Sequence, residues 1–305
     1  GGFGGVFDLA SLAGIDDPLM VASTDGVGTK TKLTAAMDLW EGAGGDIVNH
    51  GINDVLVQGA VPLFFLDTVA AQRLDPEIVG RIVDGMAEAC RASNCILLGG
   101  ETAEMPGVFT DGAVDIAGTM VGAVSRSKLL PKAGIEAGHV LIGVASSGLH
   151  TNGYSLARKV VGDTPLTAPL PGGNGESIGA ALCATHRSYH GVLASVIEQD
   201  LLMAMAHITG GGMQDNLPRV LPEHVGAVVD VSAWQRPALF DWLIQGAELG
   251  IEDAHQIFNC GIGMVLIVAA DDVASVQASI DEATWIIGET VVYDGSSARV
   301  QLVNI

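Results

Sequence analysis

The chain has 305 residues, with 14 Lys and Arg against 35 Asp and Glu, a formal net charge of −21 at pH 7. No Lys/Arg cluster reaches the size that phosphate neutralisation on a nucleic acid needs, and an anionic membrane surface is disfavoured for the same reason. Apolar residues make up 49% and charged residues 16%, enough to bury cores rather than stay disordered, and the length suits two domains.

In chain order, PLMVAST (18–24) reads as a buried strand. Residues 44–60 place Ile47, Val48, Ile52, Val55 and Leu56 at helical spacing, and PLFFLDTVAA (62–71) is a second strand. A helix over 75–93 has Asp75 as N-cap and Pro76 at its first position. Strands follow at 95–100 and 114–124. Pro131, Gly134 and Gly138 mark a link, which sets domains at 1–137 and 138–305. The second half gives strands at 139–145, 226–231 and 261–270, and helices at 153–161, near 186–200, at 236–249 and at 271–283. Residues 166–177 form an exposed loop, and edge strands close the chain. The fold class expected is α/β, two domains with mixed sheets.

No apolar run approaches the roughly 20 residues of a membrane helix. GGFGGVFDLA (1–10) lacks the basic and apolar regions of a signal peptide. Cys90, Cys95, Cys183 and Cys260 show no CxxC or zinc spacing, so reduced thiols and a cytoplasmic location are expected. Cys260, among apolar and Gly neighbours, reads as a small buried thiol.

Five stretches carry the chemistry. STDGVGTK (23–30) follows a strand; Gly26 and Gly28 let backbone approach an anion, Lys30 adds charge, and Asp25 offers a metal ligand. The alternative is a tight hairpin with a surface Lys. His50, Asn53 and Asp54 share a helix face beyond Asp46, either as hard-oxygen metal ligands or as a solvated face. GGETAEMPG (99–107) reads as an acidic loop at a strand's carboxyl end, with Gly99, Gly100, Glu101 and Glu104; Asp67 and Asp115 lie at neighbouring strand ends. These acids suit a metal, or equally solubility. SSGLHTNGYSL (146–156) offers Ser147, Gly148, His150 and Asn152 before a helix, an anion site or a polar surface turn. HITGGGM (207–213) sets Gly210, Gly211 and Gly212 before a helix, for close approach of a ligand or as a flexible turn.

With those motifs in hand, the chain resembles the aminoimidazole ribonucleotide synthetase family, the phosphoribosylformylglycinamidine cyclo-ligases. GGFGG (1–5), TDGVGTK (24–30), VNHGINDVLVQGAVPLFFLD (48–67), LLGGETAEMPG (97–107), VDIAGTMVG (114–122), SSGLHTNGYSL, HITGGG and FNCGIGM (258–264) carry the likeness over nearly the whole chain. The resemblance implies ATP- and Mg²⁺-dependent ring closure of formylglycinamidine ribonucleotide through an iminophosphate, in de novo purine biosynthesis. It also implies a homodimer whose N-terminal sheets join into a barrel. By the same resemblance Asp25, Asp54, Glu101 and Asp115 are the metal acids. Gly26, Gly28, Thr29 and Lys30 meet the triphosphate. Gly99, Gly100, Ser147, Gly148, Asn152 and Gly210–Gly212 bind nucleotide or substrate. Lys30, His150, His207 and Asp67 are the catalytic candidates, with the general base left open among the last three. No nucleic-acid or membrane partner is expected.

The sequence departs from the family's pattern in places. DTVAAQR (67–73) stands where a tyrosine, a glycine and a lysine are usual, and Thr185 replaces a proline. The family normally carries a glycine-rich, basic segment before GGFGG. His50 occupies a position usually apolar or small, which argues against it as a ligand. Rival readings are another ATP-using member of the superfamily, a non-catalytic maturation scaffold on the same fold, or a metal phosphohydrolase.

Overall fold

The structure, a computed structural model, describes residues 4–305; the first three residues of GGFGG lie outside them. The chain forms two compact units. The first runs to Leu129 and adds Gly179–His190; the second comprises Leu130–Ile178 and Gly191–Ile305. A single cut near residue 137 therefore does not describe the division, because the 179–190 segment packs with the first unit.

The first unit contains β1 (Pro18–Gly26), α1 (Thr31–Met37), α2 (Trp40–Leu56), β2 (Val61–Ala71), α3 (Pro76–Ala92), β3 (Ile96–Glu104) and β4 (Val114–Ser125). The sheet order is β1-β4-β2-β3; β2 and β3 run parallel and β4 is antiparallel to both its neighbours. Alternation in the strands sends Phe65, Val69, Ile116 and Met120 to one face, where Ile47, Ile52, Ile82 and Met86 of α2 and α3 bury them. The two helices touch backbone to backbone. A Cβ on Gly44 would stand 2.0 Å from the Ile82 carbonyl oxygen, and one on Gly85 2.0 Å from that of Glu41. α3 opens as its sequence dictates, with Pro76 first and the Asp75 carboxylate accepting from the Glu77 amide. The opposite face of the sheet leaves Met20, Val61, Leu66 and Ile96 exposed.

The second unit contains β5 (Val140–Ala145), α4 (Tyr154–Val161), α6 (His190–Glu198), β6 (Leu202–His207), α7 (Gly212–Asn216), β7 (Val225–Asp230), α8 (Ala238–Gly246), α9 (Ile251–Ile257), β8 (Ile262–Val268), α10 (Val273–Ala278), β9 (Thr284–Val292) and β10 (Val300–Val303), while α5 (Ile178–Leu182) belongs almost wholly to the 179–190 segment of the first unit. Its sheet order is β10-β7-β9-β5-β8-β6, antiparallel except for β10 with β7. β8 is buried along its whole length, and Leu141, Val265, Ile267 and Ile287 centre the core. The mixed α/β class holds, with corrections. β9 is interior, not an edge, since it pairs with both β5 and β7. β6, α5 and α9 were not anticipated. β3 continues through Glu104, so the stretch read as an acidic loop is largely strand.

Candidate functional site

Two sets of polar side chains stand out, one in each unit. In the first unit, β1 delivers Ser23 and Asp25 to the helix-covered face, and α2 presents His50 and Asp54 one turn apart. His50 Nε2 lies 3.0 Å from Asp25 Oδ2 and 3.5 Å from Asp54 Oδ2, and Ser23 Oγ donates to Asp54 Oδ2 at 2.7 Å. Burial alone would depress the imidazole, but hydrogen bonds and charge from Asp25 and Asp54 outweigh it and push His50 up to about 9. The hydrogen bond from His50 in turn holds Asp25 below the usual carboxylate range. Two carboxylates thus flank one imidazole, with the Ser23 hydroxyl on Asp54, and carboxylate oxygens of this kind suit a hard divalent cation.

Of the four acids expected at a metal, Asp25 and Asp54 both reach His50. Glu101 and Asp115 do not join them. Glu101 pairs with Thr68 and Asp115 with Ala70, on the outward face, whereas Asp25 and Asp67 sit with Gly118 and Gly100 in a row on the helix-covered face. Asp67 lies mid-strand rather than at an end. Its carboxylate occupies the space over Gly100, where a Cβ would come within 2.2 Å of Oδ1, and burial pushes its carboxyl up. Gly99 faces open space. His50, which sequence reasoning set aside, is the residue that ties the acids together; its i, i+4 spacing to Asp54 was the available signal.

Lys30, expected at the triphosphate, lies inward. After β1, the Gly28 turn at φ 65° leads into a short 3₁₀ segment that leaves Gly28 and Thr29 exposed but folds Lys30 inward. Its ammonium is fully buried, 2.8 Å from Asp46 and 2.7 Å from the Ala184 carbonyl oxygen. Burial pushes the Asp46 carboxyl up; the Lys30 charge and the His186 amide, donating at 2.7 Å, oppose it and stabilise the ion pair. Further along α2, Asn49 Nδ2 donates to the His186 carbonyl oxygen. Asn53 donates to that of Arg187 and accepts from the Tyr189 amide. Asp46, Asn49 and Asn53 thus bind the backbone of 184–189 to α2. Asn53 Nδ2 also lies 3.1 Å from His186 Nε2.

In the second unit the two loops expected near substrate come together. His150, at φ 62° and 1% exposed, accepts from the Ser147 amide at Nε2, 3.2 Å away, and its ring lies 6.5 Å from that of His207. Asn152 Oδ1 reaches Gly210, where a Cβ would stand 3.3 Å from it. Gly212, at φ 62°, is required: a Cβ would fall 1.7 Å from the His255 carbonyl oxygen. Two residues not foreseen pin these loops. Asn259 Nδ2 donates to the Gly148 carbonyl oxygen, while its Oδ1 accepts from Ser146 Oγ and the Gly261 amide. Asn216 Nδ2 donates to the carbonyl oxygens of Gly212 and Gly210. Buried amides facing turn backbone are the signal, visible only once the loops are adjacent.

Residues 8–124 match the family described as AIR synthase related protein, N-terminal domain, and residues 136–301 match its C-terminal domain. The bifunctional purine biosynthetic protein ADE1 of Schizosaccharomyces pombe is 43% identical over 311 residues, covering 100% of this chain and 39% of that protein. The chain thus spans well under half of that relative's length. Among solved structures, HypE of E. coli, a hydrogenase maturation protein, has a TM-score of 0.71 at 19% identity, covering 98% of this chain and 87% of that one. A thiamine-monophosphate kinase from Stenotrophomonas maltophilia K279a has a TM-score of 0.67 at 18% identity, covering 94% and 86%. At such identities these two structures establish a shared fold alone.

Proposed function

Because the chain belongs to the AIR synthase related family, we propose that it closes the imidazole ring of 5-aminoimidazole ribonucleotide from formylglycinamidine ribonucleotide, consuming ATP. The observation that carries this reading is 43% identity along the entire chain to a purine biosynthetic protein. In the reaction the γ-phosphoryl group passes to the formyl amide oxygen, and ADP leaves. The amidine nitrogen then attacks that carbon, the carbon–oxygen bond breaks, and the oxygen departs with inorganic phosphate. A ring proton is lost to a base. The chemistry is largely positioning, since phosphate replaces a poor leaving group and the attack is intramolecular.

Asp25 and Asp54 would hold Mg²⁺, which when bound neutralises charge on the nucleotide's phosphates. The turn over residues 26–29, exposed at Gly28 and Thr29, receives the triphosphate. Lys30 acts at one remove, fixing the start of α1 beside that turn. Ser147, Gly148, Asn152 and the Gly210–Gly212 run offer backbone and amide donors to the ribose phosphate, and His150 or His207 takes the ring proton, with Asp67 the remaining candidate. A cytoplasmic homodimer completes the reading. Its support is the outward sheet face of the first unit, where Met20, Val61, Leu66 and Ile96 form an apolar surface that a second copy would cover.

The test is ADP formation by the purified protein, with the product identified by mass. ADP should appear only when Mg²⁺ and formylglycinamidine ribonucleotide are both present. ADP or phosphate released without that substrate would favour a phosphohydrolase.

A further inference from the structure

A pair of thiols lies outside the proposed chemistry. α3 ends at a left-handed Asn94, φ 52°. The Cys95 amide donates to the Cys90 carbonyl oxygen at 2.8 Å, and the Asn94 amide to that of Arg91 at 3.2 Å. These are the two bonds of a Schellman termination, a motif that sets the third-from-last helical side chain against the second residue beyond the cap. Those two positions are Cys90 and Cys95. The two thiols are near enough to act on one another's titration, and Cys95 Sγ also lies 3.8 Å from Met120 Sδ. Cys90 is 2% exposed and Cys95 8%. Cys183 and Cys260 are buried in other surroundings, Cys260 with its thiol on the Ala254 carbonyl oxygen.

We propose that Cys90 and Cys95 form a redox-active dithiol that closes to an intrachain disulfide when a small-molecule disulfide of the glutathione class supplies the oxidising equivalents. Cys95 is the attacking sulfur. The neighbouring Cys90 lowers the Cys95 thiol, which is also the more exposed of the two, whereas the neighbouring Cys95 and burial push Cys90 up. The Cys95 thiolate attacks one sulfur of the small disulfide, forming a mixed disulfide and expelling one small thiolate. Cys90 then gives its proton to solvent, attacks Cys95 Sγ and expels the second small thiolate. Two protein thiols lose two electrons, and one small disulfide becomes two thiols. The bridge would tie the end of α3 to the start of β3, the strand that carries Gly99, Gly100 and Glu101.

The experiment incubates the full native chain with oxidised glutathione and reads intact mass, free thiols and a protease digest. The mass should fall by about 2 Da, two of the four thiols should disappear, and one peptide pair should join residues 90 and 95. Cys95→Ser should abolish the mass loss and Cys183→Ser should retain it. Should Cys95→Ser fail to fold, the wild-type digest decides alone. A glutathione adduct that persists, a bridge involving Cys183 or Cys260, a bridge seen only in denaturant, or no bridge at all would each overturn the proposal. None of these readouts depends on ATP or on the ring-closing reaction.

Discussion

Lys30→Met separates a structural lysine from one that reaches a phosphate. In the native protein the Lys30 ammonium lies 2.8 Å from Asp46 and 2.7 Å from the Ala184 carbonyl oxygen, with both side chains out of water. Removing the cation leaves a buried carboxylate that still accepts from the His186 amide. Breaking one side of such a pair costs about 3–5 kcal/mol, because the surviving charge stays desolvated. For a unit of this size, roughly 4 °C per kcal/mol translates that cost into a fall of about 12 °C or more in its thermal midpoint. The loss has a pH signature. Burial already pushes Asp46 up, and without Lys30 it can take a proton, so the penalty should shrink as pH falls toward the carboxylate range. Lys30→Met with Asp46→Leu should recover much of the stability, since an apolar pair of similar volume carries no desolvation cost. The assay is thermal and urea unfolding at several pH values, alongside the KM for ATP. A Lys30→Met protein within about 0.5 kcal/mol of wild type, with its defect confined to the ATP KM, would refute the reasoning.

Leu66→Glu places a charge on the outward sheet face and should convert a dimer to monomer in sedimentation, with the first unit still folded. Gly212→Ala should cost at least about 2 kcal/mol and raise the KM for the ribonucleotide, because the Cβ meets the His255 carbonyl oxygen at 1.7 Å and φ is 62°; Gly99→Ala, facing open space, should be within about 0.5 kcal/mol in the same unfolding assay. Burial, and less so the charge of Arg236, depresses His255 to about 4. The unfolded chain therefore binds the extra proton first, and stability present above pH 6.5 is lost as pH falls toward 4, by about 3 kcal/mol in all. His255→Gln should flatten that slope in urea unfolding across this window, and an unchanged slope would remove His255 as its source.

Local signals were legible where the chain punctuates itself. Asp75 and Pro76 announced α3, and the apolar runs announced β2, β5 and β8 at nearly their observed lengths. β6 was missed because LMAMAH neither alternates nor contains β-branched residues; it is a strand because β8 pairs with it. Gly99 and Gly100 read as loop, yet parallel pairing with β2 carries them as strand, and Gly100 is small because the Asp67 carboxylate occupies its outer space. The loops of the second unit stand out in the sequence by their small polar residues and glycines, and their meeting at Asn152 and Gly210 follows from the sheet that positions them. Burial of Lys30 was not legible. Its partner Asp46 lies a helix away, and the carbonyl of Ala184 belongs to a stretch that sequence order assigns to the other domain. The same long-range docking explains Asn53, which local reading placed on a solvated or metal-binding face, and Asn49 one turn before it.

The most direct measurement follows the formyl oxygen. Formylglycinamidine ribonucleotide labelled with ¹⁸O at that atom, turned over with ATP and Mg²⁺, should deliver the label to inorganic phosphate, as detected by mass spectrometry or phosphorus NMR. Label released as water, or phosphate that draws its new oxygen from solvent, would contradict phosphoryl transfer to the substrate and with it the ring closure proposed for this chain.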